Sequence, residues 1–377
     1  MNRIIYIFGL ALLLFSCQGS IKQSGSVYEI LSFPVENGIA ETDYPVGLLM
    51  MSNKDAVLIA RSKNTYPEIL TSLYKSVDEG RNWAKVFTTK DWKAEHLEER
   101  DGIIYIANNA ASTEKEQRSE ILYSKDTGRT WQTLKHFGSK LLVIKPMEQS
   151  GMVAYQSSED TSEYSKISYK CLVSSQKSPE WEDAHIDMCA GPNLTSLSKD
   201  KLIYTAGFPY RIFQVSFGDL TKDTLRIRPL ICPSQIIASE EDIFGIWNGK
   251  RADYFRIAGD SAVFVSRIRF KGALTDHIPD RIYQHGDIVY TSVLVPGREP
   301  DVRMFISTDR ARSWTQVDTK GPIDKEYDRV WTPVGEAWFM AGHNDFMVSY
   351  CLGEKDGRRR DFIKIIRPKA VPSKVGI

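Results

Sequence analysis

Apolar residues in this chain come in short runs set between turn formers. "GIIYIANN" at 102–109 and "KLIYTAGF" at 201–208 are bounded by Gly, Asn, Asp or Lys, and "ILYS" at 121–124 and "MFIS" at 304–307 end on serine. "QTLKHF" at 132–137 and "TQVDT" at 315–319 follow a few residues later as new short runs. No long stretch keeps an apolar residue at every third or fourth position, so the pattern predicts strands throughout rather than helices.

The runs are spaced by a recurring phrase. "SVDEGRNW" spans Ser76 to Trp83 and "SKDTGRTW" spans Ser124 to Trp131. "STDRARSW", Ser307 to Trp314, keeps Ser, Asp and Trp but has Ala311 in place of glycine. "SSQKSPEW", Ser174 to Trp181, keeps only the outer Ser and Trp. The starts at 76, 124 and 174 set a period near fifty residues, and the gap to 307 leaves room for two degenerate copies. Segments 215–227 and 254–268 fall near those places, and 348–365 is a further candidate unit. Several short strands repeating at forty to fifty residues are the signature of a β-propeller. The expectation is an all-β chain with one propeller of four-stranded blades, seven preferred and six possible.

The phrase has a physical reading as a turn between antiparallel strands. Asp78 or Asp126 can accept hydrogen bonds from backbone N–H groups of the turn. Gly80 or Gly128 can take positive φ without a Cβ clash. Trp83 or Trp131 opens the next strand and can cover the turn with a large apolar face. The predicted structural set is Ser76, Asp78, Gly80, Trp83, Ser124, Asp126, Gly128, Trp131, Ser307, Asp309 and Trp314.

On these residues the chain resembles the Asp-box, or BNR-repeat, β-propellers, a group that includes sialidases, sortilin-like domains and photosystem-assembly propellers. In that group the boxes lie at the blade periphery, away from the functional face. The resemblance to sialidases implies a site with an Arg-Ile-Pro near the first strand, three arginines for the substrate carboxylate, an Asp acid/base and a Tyr–Glu nucleophile pair. Carboxylate recognition needs bidentate guanidinium partners, and a tyrosine nucleophile needs a carboxylate to take its proton. Here "TDYPVG" places Pro45 where the family proline stands but Asp43 where its arginine stands. Arg61 resembles a second arginine position, and Tyr290 in "VYTSVL" resembles the tyrosine segment. Arg61 and Tyr290 are therefore the candidates if the protein is an enzyme; Arg211, Arg256, Arg281 and Arg303 read as surface charges at strand ends.

The N-terminus is different material. "MNR" is basic, "IIYIFGLALLLF" is apolar and too short for a comfortable span, and "SC" follows. Leu14-Phe15-Ser16-Cys17 resembles the lipobox of bacterial lipoproteins, in which the cysteine is acylated and becomes the mature N-terminus. The expected organisation is a signal peptide at 1–16, a lipidated Gly/Ser-containing linker at 17–26 and the propeller at 27–377. The linker has no acidic cluster after Cys17, which favours an outer membrane anchor facing the periplasm over surface display.

Composition narrows the chemistry. Apolar residues make up 42% and charged residues 26% of the 377, which supports a folded core. Lys plus Arg number 49 and Asp plus Glu 48, so no charge excess calls for nucleic acid. Cys171, Cys189, Cys232 and Cys351 have no metal-ligand spacing, and they read equally well as disulfide partners in an exported protein or as buried thiols. The six histidines, His96, His136, His185, His277, His285 and His343, are isolated from one another. There is no nucleophile elbow, zinc-protease motif or phosphate loop, and no cofactor is expected. The basic segment "GRRRDFIKIIRPK" reads as a last strand with an exposed charged face. The combined expectation is a membrane-anchored, non-catalytic propeller of the cell envelope that binds a protein or glycan. The alternatives are a diverged sialidase-like glycoside hydrolase and an envelope inhibitor or immunity lipoprotein. Replacing Cys17 by Ala should release the protein from the membrane fraction. A variant that stays membrane-bound, with a lipid-free wild-type N-terminus, would refute the anchor.

Overall fold

The structure, a computed structural model, describes residues 28–368 except 42, 52, 54, 63–69, 91, 111–117, 148–150, 161–165, 175–179, 184–194, 199–200, 207–210, 217–220, 229–234, 239–242, 249–250, 259–260, 270–277, 286, 296–300, 318–325, 332–339 and 344–345. Among the described residues the regular structure is almost entirely strand. β1 (Tyr28–Pro34) comes first. The first group is β2 (Asp43–Met50), β3 (Ala56–Ser62), β4 (Leu70–Ser76) and β5 (Ala84–Lys90). The second is β6 (Trp92–Arg100), β7 (Ile103–Ala110), β8 (Ser119–Ser124) and β9 (Gln132–Phe137). The third is β10 (Lys140–Met147), β11 (Gly151–Asp160), β12 (Lys166–Ser174) and β13 (Glu182–Asp183). The fourth is β14 (Thr195–Ser198), β15 (Lys201–Ala206), β16 (Arg211–Ser216) and β17 (Thr221–Arg228). The fifth is β18 (Gln235–Ala238), β19 (Ile243–Asn248), β20 (Arg251–Ala258) and β21 (Ser261–Arg269). The sixth is β22 (Ile278–His285), β23 (Ile288–Val295), β24 (Asp301–Ser307) and β25 (Thr315–Val317). The last holds β26 (Arg329–Trp331), β27 (Met340–His343), β28 (Phe346–Lys355), β29 (Arg358–Arg359) and β30 (Phe362–Pro368).

Within each of the first six groups the strands pair antiparallel in sequence order. The fourth and fifth groups are further joined through a short parallel pairing of β17 with β21. The leading strands touch in a circuit: β2 on β6, β6 on β10, β10 on β14, β14 on β18, β18 on β22, β22 on β27, and β27 back on β2. Small antiparallel sheets radiating from a ring of inner strands make a β-propeller.

The last group is completed from the other end of the chain. Its order is β27, β28, β30 and then β1, which pairs with β30 over its whole length from Tyr28↔Pro368 to Pro34↔Phe362. This corrects one expectation. Segment 348–365 is not another third-to-fourth-strand phrase, because it spans the link from β28 to β30. In this group the third strand, β30, and the fourth, β1, are not consecutive in sequence. Segments 215–227 and 254–268, in contrast, do cover third-to-fourth-strand links, β16 to β17 and β20 to β21.

The core is distributed between groups. Ala56, Leu58, Ala60, Tyr74 and Trp83 of the first group pack with Val348, Tyr350, Ile363 and Ile365 of the last. Val57 and Leu73 point the other way, onto Ala94, Ile104, Ile106 and Leu122 of the second group. Ala107 and Ile121 pack in turn on Leu141, Ile144, Met152 and Ala154 of the third. Tyr290, Met304, Ile306 and Val317 of the sixth meet Met347 and Ile366 of the last. Alternate residues of one strand therefore serve opposite neighbours. Both faces are buried, so the middle strands read as unbroken apolar runs instead of alternating ones.

Candidate functional site

The three S-x-D phrases have nearly superimposable bonding. In each, the serine hydroxyl donates to the aspartate, at 2.7 Å for Ser76–Asp78 and 2.8 Å for Ser124–Asp126 and Ser307–Asp309. The same hydroxyl oxygen accepts the N–H of Gly80, Gly128 or Ala311 at 2.7–2.8 Å. The aspartate accepts the backbone N–H four residues on, from Asn82, Thr130 or Ser313, at 2.8–2.9 Å. Its second oxygen takes the side chain of that residue. The turn needs two successive residues at positive φ: Glu79 and Gly80 at 59° and 91°, Thr127 and Gly128 at 58° and 91°. In the third copy Arg310 and Ala311 adopt 55° and 62°. Ala311 thus stays in the left-handed helical region, the least strained positive φ open to a residue with Cβ.

The tryptophans do more than cover their own turns. Trp83 Nε1 and Trp131 Nε1 donate to the carbonyls of Gly80 and Gly128 at 2.8 and 3.1 Å. Their rings then reach the preceding group: Trp83 meets Tyr350 and Trp131 meets Phe87, each at 5.6 Å between centroids. Trp181 meets Phe137 at 5.3 Å, and Trp314 meets Tyr254 at 4.5 Å while donating to Ser266 Oγ. Each indole is a wedge between neighbouring groups.

Of the residues suggested by sialidases, Tyr290 and Asp43 are buried. Arg61 lies in β3 with its backbone opposite Tyr44 and Thr71; its side chain is outside the described residues. Tyr290 is 2% exposed and lies in the apolar cluster between the sixth and last groups. Asp43 is buried and accepts from Tyr74 Oη at 2.7 Å and Lys85 Nζ at 3.2 Å. A second tyrosine–carboxylate pair, Tyr350 Oη donating to Asp361 Oδ2 at 2.6 Å, lies at the same seam. Arg359 grips Asp361 through Nε and Nη2, and its Nη1 donates to the carbonyls of Ala40, Glu41 and Asp43 at 3.0–3.4 Å. Burial and the Asp361 charge push the Tyr350 phenol well above its ordinary pKa. Burial raises Tyr74 as well, joined by its bond to Asp43. For Lys85 burial works against the charge, but bonds to Tyr74 and Asp43 outweigh it and its pKa rises. Phenols held protonated and shut from solvent are fasteners, not nucleophiles.

Sequence reasoning missed this seam. The "GRRRDF" segment reads as an exposed basic face, yet of its arginines only Arg358 and Arg360 are exposed, while Arg359 turns inward and Asp361 is buried. Strand alternation was the available signal. A partly exposed ionic cluster sits on the inner strands of the second and third groups. There Glu98 pairs with Lys145, His96 Nε2 stands 3.5 Å from Glu98, and Arg100 Nη1 donates to the Pro146 carbonyl at 3.0 Å. The cavity between the first and second groups, lined by Leu73, Phe87, Ala94 and Ile106 among others, has a volume of about 10 Å³, too small for a sugar. No cluster of three metal-ligating side chains occurs among the described residues. Cys351 is buried, with its Sγ 3.5 Å from Ser349 Oγ; Cys171 pairs through its backbone with Tyr155, while Cys189 and Cys232 lie outside the described residues. His136 faces Glu120 at 3.6 Å, His285 and His343 take part in strand pairing, and His185 and His277 lie outside the description.

Neither a family model nor a curated protein matches the chain. Solved structures do. The β-propeller domain of the trilobed protease from Pyrococcus furiosus aligns with 90% of this chain and 100% of its own, at 11% identity and TM-score 0.53. Acylaminoacyl peptidase from Pyrococcus horikoshii aligns over 86% of this chain at 8% identity and TM-score 0.54, and this chain spans 53% of that protein. An α-L-arabinofuranosidase from Fusarium graminearum aligns over 91% of this chain and 98% of its own, at 11% identity and TM-score 0.42. At these identities the likeness is one of fold.

Two expectations follow from the phrases. Gly80 and Gly128 share a φ of 91°, but a Cβ at Gly80 would meet Ile363 Cδ1 at 3.0 Å, whereas one at Gly128 would meet Val86 at 3.5 Å. Gly128→Ala should cost about 1–2 kcal/mol for the left-handed backbone alone, and Gly80→Ala should cost more. Calorimetric melts giving the two variants the same loss would refute the wedge at Ile363. The hydrogen bonds from Thr130, side chain first and then backbone, lower the Asp126 pKa to about 2. In Asp78 and Asp309 burial opposes the lowering, but the bonds from Asn82 and Ser313 prevail. A carboxyl depressed in the folded state stabilises above its unfolded pKa of about 3.9, and that stability is lost as pH falls through the folded value. Melting temperature should therefore drop between about pH 4 and 2. Asp126→Asn should melt lower at neutral pH and show a shallower acid slope; an unchanged slope would count against the assignment.

Proposed function

We propose that this β-propeller is a lipid-anchored binding protein of the bacterial cell envelope that engages a protein or glycan and performs no chemistry of its own. One observation carries the reading. The tyrosine–carboxylate pairs at the seam, which resemble a sialidase nucleophile pair in composition, are shut in and saturated. Tyr350 is 0% exposed and Asp361 is held by Arg359, and Asp43 at 2% exposure is held by Tyr74 and Lys85. Rigid inner strands with connections at the edge of the ring suit recognition. The half-buried Glu98, Lys145 and His96 on those inner strands offer polar contacts to a ligand entering along the axis.

The test is to offer the purified mature chain a panel of aryl glycosides, including a sialoside and an arabinofuranoside, together with a glycan array and envelope proteins. No turnover and saturable binding to one partner class, weakened severalfold by Glu98→Gln or Lys145→Met, is the expected result. Turnover abolished by Arg61→Ala would replace the binding reading by a glycoside hydrolase. Loss of a hydrolase's or toxin's activity on mixing would replace it by an inhibitor.

A further inference from the structure

We infer that Asn37 is a site of spontaneous deamidation and that its product loosens the closure of the ring. The chemistry runs fastest where glycine follows asparagine, because no side chain then hinders the attacking backbone nitrogen. Asn37-Gly38 is such a pair, and both of its residues are exposed. The Gly38 N–H has no hydrogen-bond partner among the described residues. Its neighbours are engaged: Glu36 N–H donates to the Arg81 carbonyl, Ile39 N–H to Tyr350 Oη and Ala40 N–H to Tyr74 Oη. The Gly38 nitrogen is thus open to solvent base. It loses its proton and bonds to Asn37 Cγ; the Cγ–Nδ2 bond breaks, and Nδ2 takes up a proton and leaves as ammonia. Water then opens the cyclic imide at either carbonyl, which leaves aspartate or isoaspartate at position 37. Water is the only co-reactant, and nothing is oxidised or reduced. A bulkier neighbour would slow the reaction, but a Cβ at Gly38 would lie 3.2 Å from Tyr350 Oη and 3.5 Å from Asp361 Oδ2. Close packing on the seam pair therefore keeps the labile dipeptide in place.

Asn37 laces the segment after β1 to the first S-x-D phrase. Its carbonyl accepts the Trp83 N–H at 2.8 Å, and Glu36 N–H reaches the Arg81 carbonyl at 3.3 Å. Asn37 Nδ2 donates to Asn82 Oδ1 at 3.0 Å, and Asn82 Nδ2 donates in turn to Asp78 Oδ2 at 2.7 Å. The relay works because each amide carries both a donor and an acceptor. A carboxylate at 37 accepts only. It would set negative charges at 37 and 78 on either side of the Asn82 amide. Turning that amide round would satisfy one carboxylate by abandoning the other. Isoaspartate does more: it lengthens the main chain by a methylene between two fixed points, the bond to Trp83 and the bond from Ile39 to Tyr350 Oη. Trp83 and Tyr350 are the aromatic pair that joins the first group to the last.

The experiment ages the purified chain in warm, mildly alkaline buffer. Peptide mapping by mass follows each asparagine, and thermal melts are recorded on the same samples. Asn37 should convert several-fold faster than Asn53, Asn82, Asn108 and Asn109, none of which precedes glycine. A lower-melting population should grow with the converted fraction. Asn37→Ser, which has no amide to lose, should keep its melt when aged alike, so any change from the other Asn-Gly pair, Asn248-Gly249, is measured separately. Asn37→Asp should melt below wild type at neutral pH. That gap should close as pH falls through the ordinary carboxylate range, since protonation removes the charge and restores a donor. Conversion at 37 no faster than at those four asparagines would overturn the site. Conversion that leaves the melt unaltered, or an equal drift in Asn37→Ser, would overturn its effect on the seam.

Discussion

The pairing of β1 with β30 is the contact on which the ring depends. Among the described residues the first, second and last groups each bury both faces of their sheets against neighbours, so none of them is complete by itself. An open ring would expose two such faces at once, those now filled by Leu58, Tyr74 and Trp83 on one side and Val348, Tyr350 and Ile363 on the other. Side chains reinforce the seam where the backbone leaves it. Arg359 ties the last group to the carbonyls of residues 40, 41 and 43, and Asp43 passes the tie on to Tyr74 and Lys85. Net worth is modest for a buried ion pair, but removing one member leaves a charge without its partner, which is why such seams are sensitive to single substitutions.

Elsewhere the ring is held by repetition. A serine, an aspartate and two residues at positive φ saturate the polar groups of a tight turn, which lets its tryptophan enter a neighbouring group without bringing unpaired backbone along. The third copy shows what the turn requires. Glycine can be replaced, as Ala311 shows, provided φ drops to a value alanine can reach. The indole then finds another acceptor, Ser266 Oγ in place of the glycine carbonyl.

The propeller was legible because its signals are local. The phrase, the turn chemistry and the fifty-residue spacing can each be read within one hairpin. The seam was not legible as a contact: strand alternation marks Arg359 and Asp361 as inward-facing, but Tyr350 and Arg359 meet residues some three hundred positions away, which nothing short-range identifies. Tyr290 was misleading for a related reason: a tyrosine in a strand buried on both faces looks the same in sequence as one that lines a pocket. The last group was read out of phase because its fourth strand lies at the start of the chain, so the period there points to a link between β28 and β30 that belongs to a different place in the group.

The position of β1 also fixes an order of events. Ribosomal synthesis makes this strand first and its partner β30 last, so β1 has a free hydrogen-bonding edge for as long as the rest of the chain is being made. Neighbouring groups can form hairpin by hairpin from contacts close in sequence, while closure must wait for β30. Until then the apolar faces at both ends are open to association with other chains. A truncation that removed only β30 would thus leave most hairpins able to form and yet produce a molecule with no means of ending its own growth.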